Sequence, residues 1–281
     1  MQGLATMFVG AFCWWMVFDW PSTAGFLTPE ERIRVRRRLA ADNQSNTAEE
    51  YDRRHVYAAL KDWKCWGYAV IYMGCLMPLY AFSLFLPTII GGMGHKGTRA
   101  QLLTVPPYAV AATVTIIVGY LGDRTRQRAI LNMIVVVIGI VGFTMLIASA
   151  NPTIQYVGTF MGAVGIYPTI PNTLSWCSNN VEGVYKRGVI IGIVVGSGNL
   201  NGVVSSNIFL VEEKPRYWTG HGMVIAYMTL FLLGGTVFMW AMLKRENAKR
   251  RSGARDNMHA GKTADEIWVA GDNRPDFIYS L

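Results

Sequence analysis

Long apolar runs alternate with short polar stretches along the whole chain. Seven of these runs are candidates for helices that cross a bilayer, and they cover residues 1–18, 65–90, 102–122, 129–150, 154–176, 188–211 and 222–243. A helix needs roughly 20 apolar residues to cross the hydrocarbon core. The period-two alternation expected of membrane β-barrel strands is absent from these runs. The pattern therefore predicts an all-α membrane protein with about seven transmembrane helices.

The composition supports the same class. Only 16% of the 281 residues are charged and 52% are hydrophobic, whereas a soluble domain carries about 25% charged residues. The net charge is +8, and the basic residues flank the apolar runs. Anionic lipid headgroups are therefore the expected partner of these basic residues, and nucleic acid is not. We expect an integral multi-pass protein of the plasma membrane or, as an alternative, of an organelle membrane.

The distribution of lysine and arginine predicts the orientation in the membrane. Of the 26 basic residues, 22 lie in the alternate segments 20–64, 123–128, 177–187 and 244–281. The other four lie on the opposite side, in segments 91–101 and 212–221. Because basic loops stay in the cytosol, the first group of segments is expected to be cytosolic. Met1 is then on the outer side and the C-terminal tail is inside.

Four regions follow from this topology. They are a first transmembrane helix, a cytosolic loop, a six-helix transmembrane bundle and a cytosolic tail, at residues 1–19, 20–64, 65–243 and 244–281. The loop contains LTPEERIRVRRRL, in which Thr28 and Glu31 have the spacing of a capping box at the start of a helix. Two interpretations of this basic helix remain open, an amphipathic helix on the inner leaflet and a solvated linker.

A short basic loop, GYLGDRTRQR, joins the third and fourth apolar runs at residues 119–128. An aspartate at this point can pair with a neighbouring arginine or with the positive end of a facing helix. The sequence resembles the loop signature of the major facilitator superfamily, G-x-L-x-D-R followed by basic residues. Arg126 stands where the superfamily usually has glycine, and Gln127 where it usually has a basic residue. The resemblance implies a role in gating for Gly119, Asp123, Arg124 and Arg128.

A second resemblance involves SWCSNNVEGVYKRGVIIGIVVGSGNLNG, residues 175–202. This stretch, residues 18–32 and the terminal GDNRPDFIYSL are similar to the fungal allantoate permease-like group of anion:cation symporters, so the similarity covers essentially the whole chain. The superfamily has twelve helices in two six-helix halves. The resemblance implies that this chain holds helices 6–12, that is, the end of helix 6 followed by the C-terminal half. We therefore expect a truncated chain without helices 1–5, which a working carrier needs as its N-terminal half.

Polar and helix-breaking residues within the runs are the candidates for a site. Unpaired amides and hydroxyls are costly in lipid, so they are expected to face a polar interior. The candidates for a substrate cavity are Tyr72, Tyr80, Tyr167, Asn172, Asn199 and Asn201. Helix kinks or close helix packing are expected at Pro168, Pro171, Gly192 and Gly196. Ordinary core tyrosines, a packing kink and static helix contacts are the alternatives.

The residues and the resemblance together predict a secondary active transporter that moves a small organic anion, such as a carboxylate, a vitamin or a ureide, by alternating access. No Asp, Glu, Lys, Arg or His lies in the middle of any apolar run, so this chain offers no obvious group for proton coupling. The four histidines and four cysteines form no metal-ligand or nucleophile pattern, and we expect no enzymatic activity, metal or cofactor. Two alternatives stay open, an inactive transporter fragment and a seven-helix receptor.

Overall fold

A computed structural model describes residues 2–17, 24–41, 53–94, 97–209, 211–213, 217–255, 261 and 271–281. Within these residues the regular secondary structure is entirely helical, which confirms the predicted all-α class. The chain divides into two compact units, residues 1–50 and residues 51–281. The candidate residues for a cavity and for a gate all belong to the second unit.

The first unit contains two helices, α1 (Gln2–Met16) and α2 (Pro29–Ala41). The expected capping box is present at the start of α2. The Thr28 amide donates to the Glu31 carboxylate at 2.9 Å, and the Glu31 amide donates to the Thr28 hydroxyl at 3.4 Å. The hydrogen bonds from the Thr28 amide and hydroxyl lower the pKa of Glu31. The basic stretch after Thr28 is therefore a helix with a defined start, as predicted.

The second unit begins with a short helix, α3, and the long helix α4. Its helices are α3 (Arg53–Lys61), α4 (Trp63–Gly92), α5 (Thr98–Leu102), α6 (Val105–Thr125), α7 (Arg128–Ala148), α8 (Pro152–Ile166), α9 (Thr169–Asn179), α10 (Val184–Asn199), α11 (Asn201–Ser205), α12 (Trp218–Tyr227) and α13 (Gly235–Arg251). A π-helical turn, Met228–Gly234, joins α12 to α13 into one continuous helix. Short 3-10 helices occur at Val211–Glu213 and Gly271–Asn273.

Five helical stretches of the described residues are long and apolar enough to cross a membrane, at Trp63–Gly92, Thr98–Thr125, Arg128–Ala148, Val184–Ser205 and Trp218–Arg251. The predicted run 154–176 differs, because the structure divides it into α8 and α9 at Tyr167 and Pro168. Proline has no amide hydrogen and its ring obstructs the preceding turn, so the helix ends there. Within the described part of the run 1–18, residues 2–17, α1 has 15 helical residues, about 22 Å at 1.5 Å per residue.

The core of the second unit is built around α4, which contacts α10, α12 and the π-helical turn. Tyr68, Ile71, Cys75, Phe82 and Leu86 along this helix are completely buried. A buried Phe82 ring contacts Phe143 of α7 with centroids 6.0 Å apart. Packing against one long central helix therefore holds the other helices in place.

Close helix packing occurs between α7 and α8, and the glycines that form it were not among the predicted ones. A Cβ atom on Gly165 would lie only 2.2 Å from the Cα atom of Gly139. One turn away, a Cβ atom on Gly142 would lie 2.6 Å from the Gly162 nitrogen. The contact expected at Gly192 and Gly196 is not formed within the described residues, because a Cβ atom on either would meet no atom within 4 Å. Small residues on facing helices let the two backbones approach.

Candidate functional site

A hydrogen bond between α4 and α10 brings two of the predicted cavity residues together. The Tyr80 hydroxyl donates to Oδ1 of Asn199, the last residue of α10. Tyr80 is half-buried and Asn199 is exposed. The pair therefore presents a phenol and an amide at an accessible surface of the unit.

A second hydrogen bond extends this surface to the break between α8 and α9. The hydroxyls of Ser83 and Tyr167 are 2.9 Å apart. Ser83 follows Tyr80 by one helical turn, so both lie on the same side of α4. The Tyr108 ring meets the Tyr167 ring edge-on, with centroids 5.6 Å apart. We call Tyr80, Ser83, Tyr108, Tyr167 and Asn199 the polar face.

The polar face offers neutral hydrogen-bonding groups and aromatic rings, and its five residues carry no formal charge. Hydroxyl and amide groups beside aromatic rings are typical of sites that orient a small ligand. The sequence pointed to Tyr80, Tyr167 and Asn199 but not to Ser83. The signal that could have found Ser83 is its spacing of three residues from Tyr80, which places both on one face of a helix.

Two other predicted cavity residues pack inside the unit instead. Tyr72 is 4% exposed and lies against Gly198, where a Cβ atom would come within 2.6 Å of the tyrosine ring. The Asn201 amide donates to the carbonyls of Ser197 and Gly198, both at 3.2 Å. It thereby satisfies backbone carbonyls where α10 gives way to α11. Both residues support the helices behind the polar face.

The remaining cavity candidate, Asn172, lies in a different network. The Arg128 guanidinium donates to Asn172 Oδ1 at 3.0 Å, and Asn172 Nδ2 donates to the Arg128 carbonyl at 2.8 Å. Asn172 Nδ2 also donates to Asn132 Oδ1 at 2.8 Å, and Asn132 Nδ2 donates to the Thr173 hydroxyl at 2.9 Å. Arg128 forms an ion pair with Asp123 across the α6–α7 turn. We call Asp123, Arg128, Asn132, Asn172 and Thr173 the loop network.

The two prolines beside Asn172 have different surroundings. Pro168 is buried at the break that ends α8. Pro171, the third residue of α9, is exposed. The Thr169 hydroxyl donates to the Ile166 carbonyl at 2.6 Å and so satisfies a backbone acceptor at the break. The break turns α9 so that Asn172 reaches the loop network.

Other residues of the predicted gating loop lie at the edge of the loop network. A Cβ atom on Gly119 would meet no atom within 4 Å, whereas one on Gly122 would lie 3.1 Å from Arg128 Nη1 and from Asn172 Oδ1. Arg124 is exposed, and its guanidinium donates to the Tyr120 hydroxyl at 3.3 Å. Arg126 ends α6 with a left-handed backbone, φ 55°. Such a φ favours glycine, which agrees with the glycine expected at this position in the family signature.

The C-terminal residues 271–281, which we call the C-terminal segment, are anchored at the same end of the unit by charge. The Asp272 carboxylate is completely buried and pairs with Lys64 and, at 2.8 Å, with Lys186. Asp62 pairs with Lys186 at 2.7 Å. Burial alone would raise the pKa of Asp272, but the ammonium groups of Lys64 and Lys186 outweigh it, and the pKa is lowered. We call these four residues the ionic cluster.

Side chains of α9, of Asn180 directly after it and of α13 hold the main chain of the C-terminal segment. Asn180 Oδ1 accepts from the Ser280 amide at 2.7 Å, and Trp176 Nε1 donates to the Ser280 carbonyl at 2.9 Å. Asn247 bonds the amide and the carbonyl of Tyr279, at 2.9 and 2.8 Å. The segment is therefore bound through its backbone by residues far away in the sequence.

Further charged groups fix the segment on two sides. Arg250 donates to the carbonyls of Asp272, Arg274 and Phe277, at 3.0, 3.0 and 2.6 Å. Arg274 pairs with Glu182 at 3.0 Å. Burial raises the pKa of Glu182, and Arg274 only partly opposes it. Residues 175–202 and 271–281, which the sequence linked only by resemblance to one family, thus contact each other directly.

Comparison with known proteins agrees with this helical architecture. A family model described as Major Facilitator Superfamily matches residues 2–206. The chain is 31% identical over 227 residues to the MFS transporter prlL of a fungal species (strain NRRL 50135), which covers 79% of this chain and 46% of that protein. It is 30% identical over 254 residues to the high-affinity nicotinic acid transporter of Saccharomyces cerevisiae, covering 90% of this chain and 47% of that protein.

A third relative matches the chain from end to end. This is the uncharacterized transporter C11D3.18C of Schizosaccharomyces pombe, 30% identical over 283 residues, which covers 100% of this chain and 55% of that protein. The chain therefore spans about half the length of the curated relatives it matches.

Proposed function

The chain belongs to the Major Facilitator Superfamily, and we propose that it acts as part of a secondary transporter that moves a small organic anion by alternating access. The relatives are named as transporters, which favours this function over the seven-helix receptor. One relative is named for nicotinic acid, a small aromatic carboxylate. The allantoate permease-like subgroup, an anion:cation symport mechanism and the plasma membrane remain parts of this proposal.

The polar face is the observation that carries the proposal. A carboxylate needs hydrogen-bond donors, and an aromatic ring needs a flat apolar neighbour; the polar face provides both in Ser83, Tyr167 and Tyr108. The Tyr80–Asn199 hydrogen bond fixes two further groups at the same surface. In transporters of this type the substrate binds near mid-membrane between two helical halves. We propose that helices beyond this chain supply the opposite wall and any charge that neutralises the anion.

The loop network is the proposed cytosolic gate. The Asp123 side chain is 76% exposed, while the side chain of its partner Arg128 is 7% exposed. The aspartate can therefore exchange partners without unfolding the turn, whereas Arg128 stays fixed to Asn172. We propose that Asp123 stabilises the inward-closed state by contacts with the other half, and that these contacts break when the carrier opens.

Uptake measurements test the proposal. The chain is expressed with the N-terminal half of the Saccharomyces cerevisiae nicotinic acid transporter, in a yeast strain that lacks that transporter. We expect saturable uptake of radiolabelled nicotinic acid or another small carboxylate only when both pieces are present. Tyr80→Phe should raise KM about tenfold through loss of one hydrogen bond, and Tyr57→Phe, at an exposed position outside the polar face, should not.

Membrane fractions of the same cells show whether both pieces are inserted. If both pieces are present in the membrane and no carboxylate is taken up, the proposed activity is wrong. If uptake occurs but Tyr80→Phe and Tyr57→Phe behave alike, the polar face is not the substrate site.

A further inference from the structure

A cavity of about 530 Å³ opens beside the C-terminal segment, within the roughly 300–1,000 Å³ range of small-molecule sites. Its wall is formed by residues of α3, α4, α10 and α13, by Asp62 and Arg255 beside these helices, and by Asn273 and Tyr279 of the segment. Six cationic side chains line it, those of Lys61, Lys64, Lys186, Lys249, Arg250 and Arg255. No part of the proposed transport function uses this cavity.

The charges around the cavity do not balance. The carboxylates that lie in or against it are Asp62, Glu246 and Asp272. Asp62 and Asp272 pair with Lys64 and Lys186, and Glu246 pairs with Arg250 and Arg255. Among the residues that the structure describes, six positive charges thus face three negative ones, an excess of three.

Two cations of the wall supply the accessible part of this excess. Lys61 ends α3 and Lys249 lies in the last turn of α13, and both are exposed. Neither forms an ion pair within the residues that the structure describes. A lysine ammonium is a compact charge that binds phosphate without demanding one geometry. The two ammonium groups therefore face one cavity whose other cations are held in place by their own partners.

Aromatic residues place the cavity at the level of lipid headgroups. Trp63 is 43% exposed and lines the cavity, and Trp66 is 52% exposed one turn further along α4. On α13, Lys244 lies 4.6 Å above the ring of Trp240, one to two turns before Lys249. Exposed tryptophans mark the boundary between hydrocarbon and water, and basic pockets at the cytosolic side of helix bundles suit phosphorylated headgroups.

We propose that this cavity binds a phosphate-bearing anion at the cytosolic membrane surface, through Lys61 and Lys249. The anion is either a phosphoinositide headgroup in the membrane or a free polyphosphate in solution. Both present the same chemistry, several phosphate oxygens with multiple negative charges, opposite in sign to the excess charge of the cavity. Because Asn273 and Tyr279 form part of the wall, the docked C-terminal segment is required for the site.

The test compares two double variants of the full chain in nanodiscs. Lys61→Gln/Lys249→Gln removes the two cavity charges, and Lys244→Gln/Arg245→Gln removes two exposed charges of α13 that do not line the cavity. One arm uses nanodiscs with a phosphatidylinositol bisphosphate, with bound lipid counted by native mass spectrometry. The other uses phosphatidylcholine nanodiscs titrated by calorimetry with inositol trisphosphate.

We expect one bound molecule per chain. The cavity variant should reduce the affinity roughly 30-fold, because it removes two lysines near a charged headgroup. The control variant should leave the affinity almost unchanged. Binding only in the lipid arm assigns the site to a headgroup; binding in both arms assigns it to a soluble anion as well. Absence of binding in both arms overturns the proposal. Equal losses in the two variants overturn it too, because they indicate diffuse attraction rather than a site.

Discussion

Asn172 and Arg128 are joined by two hydrogen bonds of opposite direction. The guanidinium donates to the side-chain oxygen at 3.0 Å, and the side-chain amide donates to the arginine carbonyl at 2.8 Å. Asn172 is 2% exposed and Arg128 is 6% exposed. The first residue lies just after the break at Pro168, and the second begins α7. This pair therefore ties the broken helix α8–α9 to the charged loop before α7.

Substitution of Asn172 tests this connection. Asn172→Leu removes the acceptor of Arg128 Nη1 and the donor to Asn132 Oδ1, and an unsatisfied buried polar group costs about 1–3 kcal/mol. We expect the free energy of unfolding to fall by about 2–3 kcal/mol, because one of these groups is charged. Thermal unfolding of the full chain in detergent measures the loss. Asn179→Leu, at an exposed position of the same helix, is the control and should change the melting temperature much less.

Asp123→Asn separates gating from stability. Since Asp123 is exposed, loss of its ion pair should change the free energy of unfolding by less than about 1 kcal/mol. In a full-length relative with the matching aspartate, we expect a lower transport rate and greater access of a thiol reagent to a cysteine placed on the cytosolic side. An unchanged rate together with unchanged labelling would rule out the gating role.

Asp272 makes the stability of the second unit depend on pH. Its carboxylate neutralises two buried ammonium groups, so Asp272→Asn should cost about 3–5 kcal/mol at neutral pH. Asp276→Asn is the control, because Asp276 is 76% exposed, and its effect should stay within about 0.5 kcal/mol. The melting temperature of each variant gives the comparison.

The pKa of Asp272 is lower in the folded chain than in an unfolded one. The stabilisation is therefore complete above the unfolded pKa, about 3.9 for aspartate, and is lost as the pH falls through the lowered folded value. We expect the melting temperature to drop below this pH in the native chain and to drop less steeply in Asp272→Asn. Equal acid slopes in the two proteins would show that the Asp272 carboxylate does not control the transition.

A pair of glycine substitutions tests the contact between α7 and α8. Gly165→Ala places a Cβ atom against the Gly139 backbone, and overpacking of this kind costs about 1–3 kcal/mol or more. Gly192→Ala meets no atom within 4 Å and should stabilise its helix by up to about 1 kcal/mol. We expect opposite shifts of the melting temperature for the same chemical change. A loss at Gly192 as large as at Gly165 would mean that another surface covers Gly192.

The backbone at Arg126 permits a stabilising substitution. Its left-handed φ of 55° costs a residue with a side chain about 1–2 kcal/mol. Glycine relieves this strain, but it loses more conformational entropy on folding than arginine does. Arg126→Gly should therefore raise the free energy of unfolding by a net amount of up to about 1 kcal/mol. Arg124→Gly, in the last helical turn of α6, should lower it by a similar amount. Chemical denaturation of both variants would show whether the sign of the stability change depends on the backbone conformation at the substituted position.

Several features of the fold could be predicted because they depend on neighbours in the sequence. Apolar runs of sufficient length predict helices, Thr28 and Glu31 predict a helix start, and Pro168 predicts a helix kink. In each case the interaction joins residues that are at most four positions apart. The structure contains the helix start at Thr28, whereas at Pro168 one helix ends and another begins where only a kink was expected.

The destinations of individual polar residues could not be predicted in the same way. Asn199 joins the polar face, whereas Asn172 joins the loop network and Asn201 bonds carbonyls at the end of α10. All three are amides in apolar surroundings and look alike in the sequence. Which way each one points depends on the rotation of its helix and on the helix that packs against it.

The sequence by itself determined that this chain forms apolar helices with basic connections and a short Asp–Arg loop. Only the tertiary structure decided that Asp272 pairs with Lys64, 208 residues earlier, and that Asn180 holds Ser280, 100 residues later. Helix formation follows from hydrogen bonds between residues four apart, so the local pattern suffices. Contacts over such separations exist only after several helices have packed, because packing sets which buried charges and amides come within bonding distance.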